Sequence, residues 1–269
     1  MVFAFIGLAA LIVLYILALR GRTGHPWLGR FCRWEFAHRG LHGNGVPENS
    51  LEAFRLALKG GYGIEFDVHL MADGNLAVIH DASLKRTAGV NVTIESLTTE
   101  RLANYSLEGT TEVIPTFRQV LDLYAGKAPL IIELKPVKNN HAELAAAVCE
   151  ALEDYPGLYC IESFDPRCIR WLMKNKPSIL RGQLAHNSQW EKGTKVPFLF
   201  RFIMTNLLSN FWNAPDFIAY RFSDRNRLSV RIARSLWKIQ GVSWTLTDQD
   251  QYDTAVEENW IPIFEGFKP

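Results

Sequence analysis

Cysteine chemistry has little to work with in this sequence. Of 269 residues only four are cysteine, Cys32, Cys149, Cys160 and Cys168, and no two form a CxxC pair or fall at metal-ligand spacing. They read as reduced structural thiols, with two bridges as the alternative that spacing leaves open. A dinucleotide fingerprint is missing as well: GLHGNG, residues 40–45, follows a strand-like segment, but no helix starts at its third glycine. Overall charge is nearly absent, the formal net value being +1. No nucleic-acid reading motif is present, and the aromatics of the basic half cluster in an apolar segment instead of alternating with Lys and Arg, so no nucleic-acid partner is expected. With 48% hydrophobic and 21% charged residues the chain is neither low-complexity nor disordered, and it is long enough to bury one large core.

Charge is also missing from VFAFIGLAALIVLYILAL, residues 2–19. Such a run is just long enough to cross a bilayer as a helix, and a buried core helix would keep a polar face. A transmembrane anchor is therefore expected. A cleaved signal peptide is the rival, but no Lys or Arg precedes the run and no small-x-small cleavage site is clear after it. Arg20, Arg22, Arg30 and Arg33 follow it, a bias that favours a cytoplasmic body. The expected organisation is a transmembrane helix over 1–20, a linker over 21–33 and a globular body over 34–269, with single-pass membrane localisation. From Arg170 to Lys238, thirteen Lys or Arg face three acids, which suits an anionic substrate or lipid headgroups. Inside that stretch residues 196–215 are apolar and aromatic, which core packing explains most simply. A surface held against the bilayer by the anchor is the alternative.

The body alternates short apolar runs with amphipathic ones. WEFAH, GIEFDV, PLIIEL, LYCIES, SILRGQ, DFIAY, GVSWTL and IPIFEG read as eight strands with connections long enough for helices. That order predicts an α/β fold with parallel strands, best met by a closed (β/α)8 TIM barrel, with a doubly wound sheet as runner-up. LAVIH, residues 76–80, is set apart. Only MADGN separates it from the second strand, too short for a parallel crossover, so it returns as the second strand of a hairpin. Pairing symmetric about Asp73-Gly74 places Asp67 across from His80.

A barrel carries its site at the C-terminal ends of its strands. The first strand ends in His38-Arg39, the second in Glu65-Phe66-Asp67, the third in Glu133-Leu134-Lys135, the fourth in Glu162-Ser163-Phe164 and the seventh in Trp244-Thr245. Glu65 and Asp67, two apart on a strand, leave the same face, and Glu133 and Lys135 repeat the arrangement. Three carboxylates in one mouth repel unless neutralised, and hard divalent ions take such oxygens. A Mg2+ or Ca2+ site on Glu65, Asp67 and Glu133 is expected, with Mn2+ a further candidate; Zn2+ would want nitrogen or sulfur ligands. A metal-free salt-bridge network with Arg39 and Lys135 is the alternative. His38 and His80 are the candidate proton carriers, and Asp81 is placed to orient His80 or to cap the next turn. His42, His69, His141 and His186 have weaker cases.

Taken in order, AHRG, PENS, EFDV, the DG turn, IHD, IPT, ELKP, SFDP and WTL resemble the glycerophosphodiester phosphodiesterase family from residue 34 to the C-terminus. The resemblance implies a TIM barrel with a short insertion, here about residues 83–113, at the mouth. It implies metal-dependent hydrolysis of glycerophosphodiesters to sn-glycerol 3-phosphate and an alcohol, with attack by the glycerol 2-hydroxyl through a cyclic phosphate as one proposed route. The family's metal ligands fall on Glu65, Asp67 and Glu133, and its catalytic histidines on His38 and His80. Arg39, Glu48, Asn49, Lys135 and Trp244 fall at substrate- or phosphate-binding positions. A lysophospholipid is the alternative substrate, in a lysophospholipase D-like activity on the same site. Two places depart from the family: Glu265 stands where it usually has aspartate, and is expected to be structural, and Leu246-Thr247 follow the WT pair.

Overall fold

Nine strands form in the computed structural model, which describes residues 2–194 and 196–269. They are β1 (Phe36–His38), β2 (Gly63–Leu70), β3 (Leu76–Val78), β4 (Leu130–Leu134), β5 (Tyr159–Ser163), β6 (Leu180–Ala185), β7 (Phe217–Arg221), β8 (Gln240–Leu246) and β9 (Trp260–Phe264). Their order is β1-β9-β8-β7-β6-β5-β4-β2-β3, and a further β1–β2 pairing closes the ring. Eight parallel strands thus make a (β/α)8-like barrel, and β3 lies outside it, antiparallel to β2. The eight expected strands and the hairpin return are all present.

Alternation along each strand divides the barrel into two regions. Ile64, Phe66, Val68, Leu130, Ile132, Ile161 and Ile218 point outward into the core shared with the helices. Phe36, Ile131, Cys160, Leu180, Phe217, Val242 and Ile261 fill the interior, and Phe31 stacks on Phe36 with ring centroids 5.3 Å apart. Gly182 makes room for this filling, since a Cβ there would lie 2.0 Å from the Phe217 ring. Two residues further along the same inward faces the lining turns polar, at His38, Glu133 and Glu162, with Glu65 and Asp67 inward on β2. The apolar filling therefore ends where the polar cluster begins.

The surrounding helices include α2 (Leu51–Lys59), α3 (Phe117–Tyr124), α4 (His141–Ala151) and α5 (Pro166–Asn175). Their starts follow from local chemistry: Ser50 accepts from the Ala53 N–H, Thr116 and Gln119 form a capping box, and Asp165 caps α5 with Pro166 at its first turn. The insertion after β3 packs on the hairpin through a small core of Met71, Ala77 and Ile79 with Leu84, Ile94, Leu97, Leu102, Leu107 and Ile114.

The N-terminal run differs from its expectation. It forms α1 (Val2–Ala18), 17 residues long, and no helix among the described residues is long and apolar enough to cross a membrane. The reason is that its last turn is part of the body. Leu19 is fully buried, Tyr15 packs against the core, the Trp237 indole N–H donates to the Ile16 carbonyl at 2.8 Å, and the Asn210 amide donates to the Leu19 carbonyl at 3.3 Å. Arg22 then pairs with Asp216 at 2.5 and 2.6 Å. Only residues 2–14 stand clear, about 20 Å of helix at ~1.5 Å per residue against a hydrocarbon layer of about 30 Å. The transmembrane helix, the single-pass localisation with its cytoplasmic bias, and the membrane partnership through that helix are therefore not supported.

Bilayer contact by residues 196–215 loses its premise with the anchor, and core packing accounts for the second half of the segment, where Met204, Thr205, Leu207, Ser209, Asn210 and Asn213 are buried, but not for Phe198, Leu199, Phe200 and Phe202. They form α6 (Phe198–Thr205) and α7 (Asn210–Asn213), and α6 buries only Met204 and Thr205. Its remaining aromatics stay exposed beside the barrel mouth. Beyond it lie α8 (Leu228–Ser235) and α9 (Gln249–Glu257). All four cysteines are free, as the bland reading of their spacing had it.

Candidate active site

The hairpin sets the depth of the site, and its register is one residue away from the expected one. Val68 pairs with Val78, His69 with Ala77 and Leu70 with Leu76, while the Ile79 N–H donates to the Asp67 carbonyl at 3.1 Å. Residue 79, not 80, stands opposite Asp67. The turn explains the shift: Met71 and Asn75 pair through their backbones, so the loop has three residues, with Gly74 in the left-handed region at φ +81. His80 consequently leaves the ladder and lines a cavity of about 320 Å³ with His69, Glu133, Lys135 and Phe164.

Glu65, Asp67 and Glu133 are all buried, and they offer carboxylate oxygens within 4.8 Å of one another. Glu162 is buried beside them, its β5 position paired with Glu133. Two cations face these four acids. Lys135 Nζ lies 3.0 Å from Glu133 and 3.4 Å from Asp67; Arg39 Nε lies 3.5 Å from Asp67. Asn49 donates to Asp67 at 2.9 Å. Glu65 Oε2 and Asp67 Oδ1 have no hydrogen-bond partner although both are buried.

Electrostatics reflect this imbalance. Burial, reinforced by Asp67 and Glu133, pushes Glu65 well above the usual carboxylate range. Burial likewise raises Glu133 to about 7 against the pull of Lys135, and raises Glu162 with help from Glu133 and Asp67. Asp67 goes the other way: burial would raise it, but Lys135, His80, Arg39 and Asn49 together hold it below its ordinary value. Burial would lower Lys135, yet Glu133 and Asp67 outweigh it and raise the ammonium pKa. Protein cations alone leave part of the cluster uncompensated.

Each candidate histidine has a carboxylate on Nδ1. His38 Nδ1 lies 2.5 Å from Glu265 Oε2, and its Nε2 points to Glu65 at 3.8 Å. His80 Nδ1 lies 2.6 Å from Asp81 Oδ1. A carboxylate on Nδ1 favours the tautomer whose proton sits there and leaves Nε2 for other chemistry. Burial lowers the His80 pKa, with Lys135 and Arg39 adding to the effect against Asp67 and Asp81.

A continuous chain joins the two sides of the mouth. Arg86, from the insertion, donates to Asp81 at 2.6 Å and to Glu48 at 2.6 and 3.1 Å; Glu48 in turn accepts from Arg39 at 3.0 Å. The backbone aids this, since Arg39 and Asn49 both hold positive φ, 54 in each case, and the Asn49 N–H donates to the Arg39 carbonyl. Nine of the ten expected site residues therefore form one contiguous set: His38, Arg39, Glu48, Asn49, Glu65, Asp67, His80, Glu133 and Lys135. Trp244 sits on the far side, where its ring meets Phe164 edge-on at 5.7 Å and His186 at 6.1 Å, and its buried Nε1 has no partner.

Comparison with known proteins decides the family. Residues 38–264 match the model of the glycerophosphoryl diester phosphodiesterase family. The chain belongs to that family. Among curated relatives it is similar to a glycerophosphodiester phosphodiesterase of Bacillus altitudinis, 41% identical over 112 residues, 39% of this chain and 45% of that protein. It also resembles one from Caldanaerobacter subterraneus subsp. tengcongensis, 32% identical over 55% of this chain and 65% of the relative. A lysophospholipase D of Rattus norvegicus is 33% identical over 47% of this chain and 43% of its own length. The chain thus matches about half the length of these relatives. The fold is shared with an Oleispira antarctica phosphodiesterase solved with the product sn-glycerol-3-phosphate, at TM-score 0.73 and 21% identity over 91% of this chain and 95% of that one. A Thermotoga maritima glycerophosphodiester phosphodiesterase aligns at TM-score 0.65 and 25% identity, over 86% and 92% of the two chains.

Some neighbours of the candidate site were not legible as such. Glu265, expected to be structural, touches His38 and lies 3.5 Å from His42 Nε2, so that His38, His42 and Glu265 form a second close group of potential ligands. Glu162 was visible at a strand end but had no assigned role. Arg86 had no local signal at all, because its importance comes from the insertion folding back across the mouth. His69 is buried between Glu95, 2.8 Å from Nδ1, and the His80 carbonyl, 3.2 Å from Nε2, which ties the insertion to the hairpin.

Proposed function

We propose that this protein is a metal-dependent phosphodiesterase that hydrolyses glycerophosphodiesters to sn-glycerol 3-phosphate and an alcohol. One observation carries the reading: two histidines, each oriented by a carboxylate on Nδ1, adjoin a buried acidic cluster that Arg39 and Lys135 only partly neutralise. Family membership supports the reaction class, and the product bound in the Oleispira antarctica relative's structure supports the product assignment.

The cluster fits a hard divalent cation. Its donors are all carboxylate oxygens, and two of them, Glu65 Oε2 and Asp67 Oδ1, are buried without a hydrogen bond, the second lying 3.4 Å from Lys135 Nζ. Glu65, Asp67 and Glu133 would hold the ion, Mg2+ or Ca2+ with Mn2+ as a further candidate, and when bound it would supply positive charge to the phosphodiester oxygens.

The remaining work falls to side chains of the chain itself. Arg39 and Lys135 lie where they can stabilise charge on the non-bridging oxygens. His80 has its pKa lowered chiefly by burial and is suited to accept the proton of the attacking hydroxyl through Nε2. His38, held by Glu265, is then the group that gives a proton to the leaving alcohol. Glu48 fixes Arg39, and Asn49 fixes Asp67.

The test is release of sn-glycerol 3-phosphate from glycerophosphocholine and glycerophosphoethanolamine after EDTA treatment and again with Mg2+, Ca2+ or Mn2+ restored. Activity restored by a cation, and lost in His38→Ala and His80→Ala, is the expected result. No turnover with any cation would sink the proposal. A second reading is lysophospholipase D-like action on the same site; the similarity to the Rattus norvegicus lysophospholipase D supports it.

A further inference from the structure

One group of potential ligands lies outside the carboxylate cluster. His38 at the end of β1, His42 in the loop that follows and Glu265 just after β9 bring ligand atoms within 4.8 Å of one another. The Glu265 carboxylate bridges the two rings: Oε2 lies 2.5 Å from His38 Nδ1, and Oε1 lies 3.5 Å from His42 Nε2. The second contact is not a hydrogen bond, and His42 Nε2 is buried without a hydrogen-bond partner. A ring nitrogen is thus held facing a carboxylate with its bonding capacity unused.

Backbone contacts hold the three residues in place. The loop after β1 is pinned to α2, where the Leu41 N–H donates to the Ala53 carbonyl at 3.0 Å, and it closes on itself through a Gly43–Val46 backbone pair at 2.8 and 3.1 Å. Gly40 permits this approach, since it holds φ +83 and a Cβ there would lie 2.8 Å from Ala53. On the other side the Glu265 N–H donates to the Leu246 carbonyl, and His38 is paired with Glu65 in the barrel wall. The donors therefore sit on fixed supports and need little reorganisation to close on an ion. Ligand atoms about 2.0–2.1 Å from a tetrahedral zinc lie about 3.3 Å from one another, and the 2.5 and 3.5 Å separations bracket that spacing.

We infer that His38, His42 and Glu265 form a second cation site, for a borderline-soft ion such as Zn2+, and that its occupation switches off proton transfer by His38. The donor set separates it from the buried cluster: two imidazoles and one carboxylate suit zinc, whereas the all-oxygen set of Glu65, Asp67 and Glu133 suits a hard ion. Burial lowers the His42 pKa, which keeps that ring neutral, the form that ligates metals. All three side chains are partly exposed, so an ion can enter from solvent. On binding, the ion takes the His38 Nδ1 lone pair, and the proton shared there with Glu265 passes to solvent. His38 can then no longer become an imidazolium, the form from which it gives a proton to the leaving alcohol. Inhibition rests on the proposed phosphodiesterase reading, whereas binding does not.

The experiment measures Zn2+ affinity by competition with a chromophoric chelator in Asp67→Asn, which weakens the carboxylate cluster, and in the same protein carrying His42→Ala or the bulkier His42→Gln. A single Zn2+ is expected to bind, and either His42 change to weaken it at least about tenfold, the scale on which metal sites respond to loss even of an outer-shell partner. Co2+ in place of Zn2+ is expected to show the visible absorption of four-coordinate cobalt and to lose it with His42. Equal Zn2+ affinity with and without His42 overturns the site. Turnover of glycerophosphocholine is then followed with the activating cation saturating. Zn2+ is expected to inhibit wild type, and His42→Gln to need at least about tenfold more Zn2+ while its turnover without Zn2+ is unchanged. Equal inhibition of the two proteins, or none in a wild type that binds Zn2+ through His42, overturns the inhibitory role. If no diester is hydrolysed with any cation, the phosphodiesterase reading fails and the inhibition with it, yet Zn2+ binding that depends on His42 still supports the site.

Discussion

Replacing Glu265 by Gln isolates one charge from the shape that carries it. The backbone there is fixed independently, since the Glu265 N–H donates to the Leu246 carbonyl at 2.9 Å. The side chain meets His38 at 2.5 Å and His42 at 3.5 Å, and the hydrogen bond to His38 is the main reason its pKa is lowered, against a smaller upward push from burial. A hydrogen bond to a charged group is worth about 1.5–3 kcal/mol. Glu265 is 34% exposed, so the low end applies, about 1.5–2 kcal/mol. At about 1.36 kcal/mol per tenfold, kcat/KM for glycerophosphocholine should fall roughly 10- to 30-fold. The loss belongs in kcat, with KM and Tm nearly unchanged, because Gln keeps the arm and removes only the charge that faces His38 Nδ1. Glu265→Asp should recover part of it. Steady-state kinetics on a p-nitrophenyl phosphodiester, whose leaving oxygen needs little protonation, should shrink the defect to less than about threefold if His38 is the proton donor. An undiminished kcat in Glu265→Gln, or a loss that appears wholly in KM or Tm, would refute the positioning role.

Cation binding should be visible in stability. Saturation at about 100 times Kd contributes about 2.7 kcal/mol, or roughly 5–10 °C in Tm for a chain of this size, and Asp67→Asn should remove the shift in a thermal-melt titration with Mg2+ or Ca2+. The gain should depend on pH in a definite direction. Glu133 has its folded pKa raised to about 7, so without metal the folded state keeps a proton that the unfolded chain releases from about pH 4.3 upward. Metal-free stability therefore falls as pH rises from about 4.3 to about 7 and then levels, while the cation-induced gain is full above about pH 7 and shrinks below it. A Tm gain that grows on acidification would contradict the assignment. Arg86→Ala should free Glu48 and Asp81 together. Because Arg86 is 48% exposed, its pairs are worth about 1 kcal/mol, so roughly a fivefold loss of kcat/KM is expected, and an unchanged kcat/KM would remove Arg86 from the site.

The barrel was readable because its strands are buried on both faces and so appear as short apolar runs, while the helices between them keep 3.6-residue periodicity. The inward carboxylates were readable for the same reason, since a two-residue spacing puts Glu65 with Asp67 and Glu133 with Lys135 whatever the tertiary detail. The hairpin register was not, although both strands were. Asp73-Gly74 is compatible with a two-residue loop and with a three-residue loop whose third residue is left-handed, and the two differ by one position in every pair. That single step takes His80 out of the ladder and away from direct opposition to Asp67. Contacts such as Arg86 with Asp81 and Glu48 depend on how the insertion folds back, which no local pattern encodes.

The N-terminal run shows why composition alone misjudged an element. Eighteen uncharged residues satisfy a length criterion, but a criterion on length takes every residue as free to face lipid. Here the end of the run has a different partner. Leu19 is enclosed, and Trp237 and Asn210, both far along the chain, donate to the carbonyls of Ile16 and Leu19. Those two donors, with the Arg22–Asp216 pair just beyond, are what set the boundary between free helix and body. The same kind of long-range polar contact holds α6 against the barrel: Tyr220 on β7 and Ser188 after β6 fix Thr205, and with it Met204, while Phe198, Leu199, Phe200 and Phe202 remain outside the core. In both places an apolar segment that hydropathy would assign as a unit is divided by a few hydrogen bonds to its backbone or its one buried hydroxyl. The location of those bonds, and not the apolar character of the run, decides which side chains are core and which stay outside it.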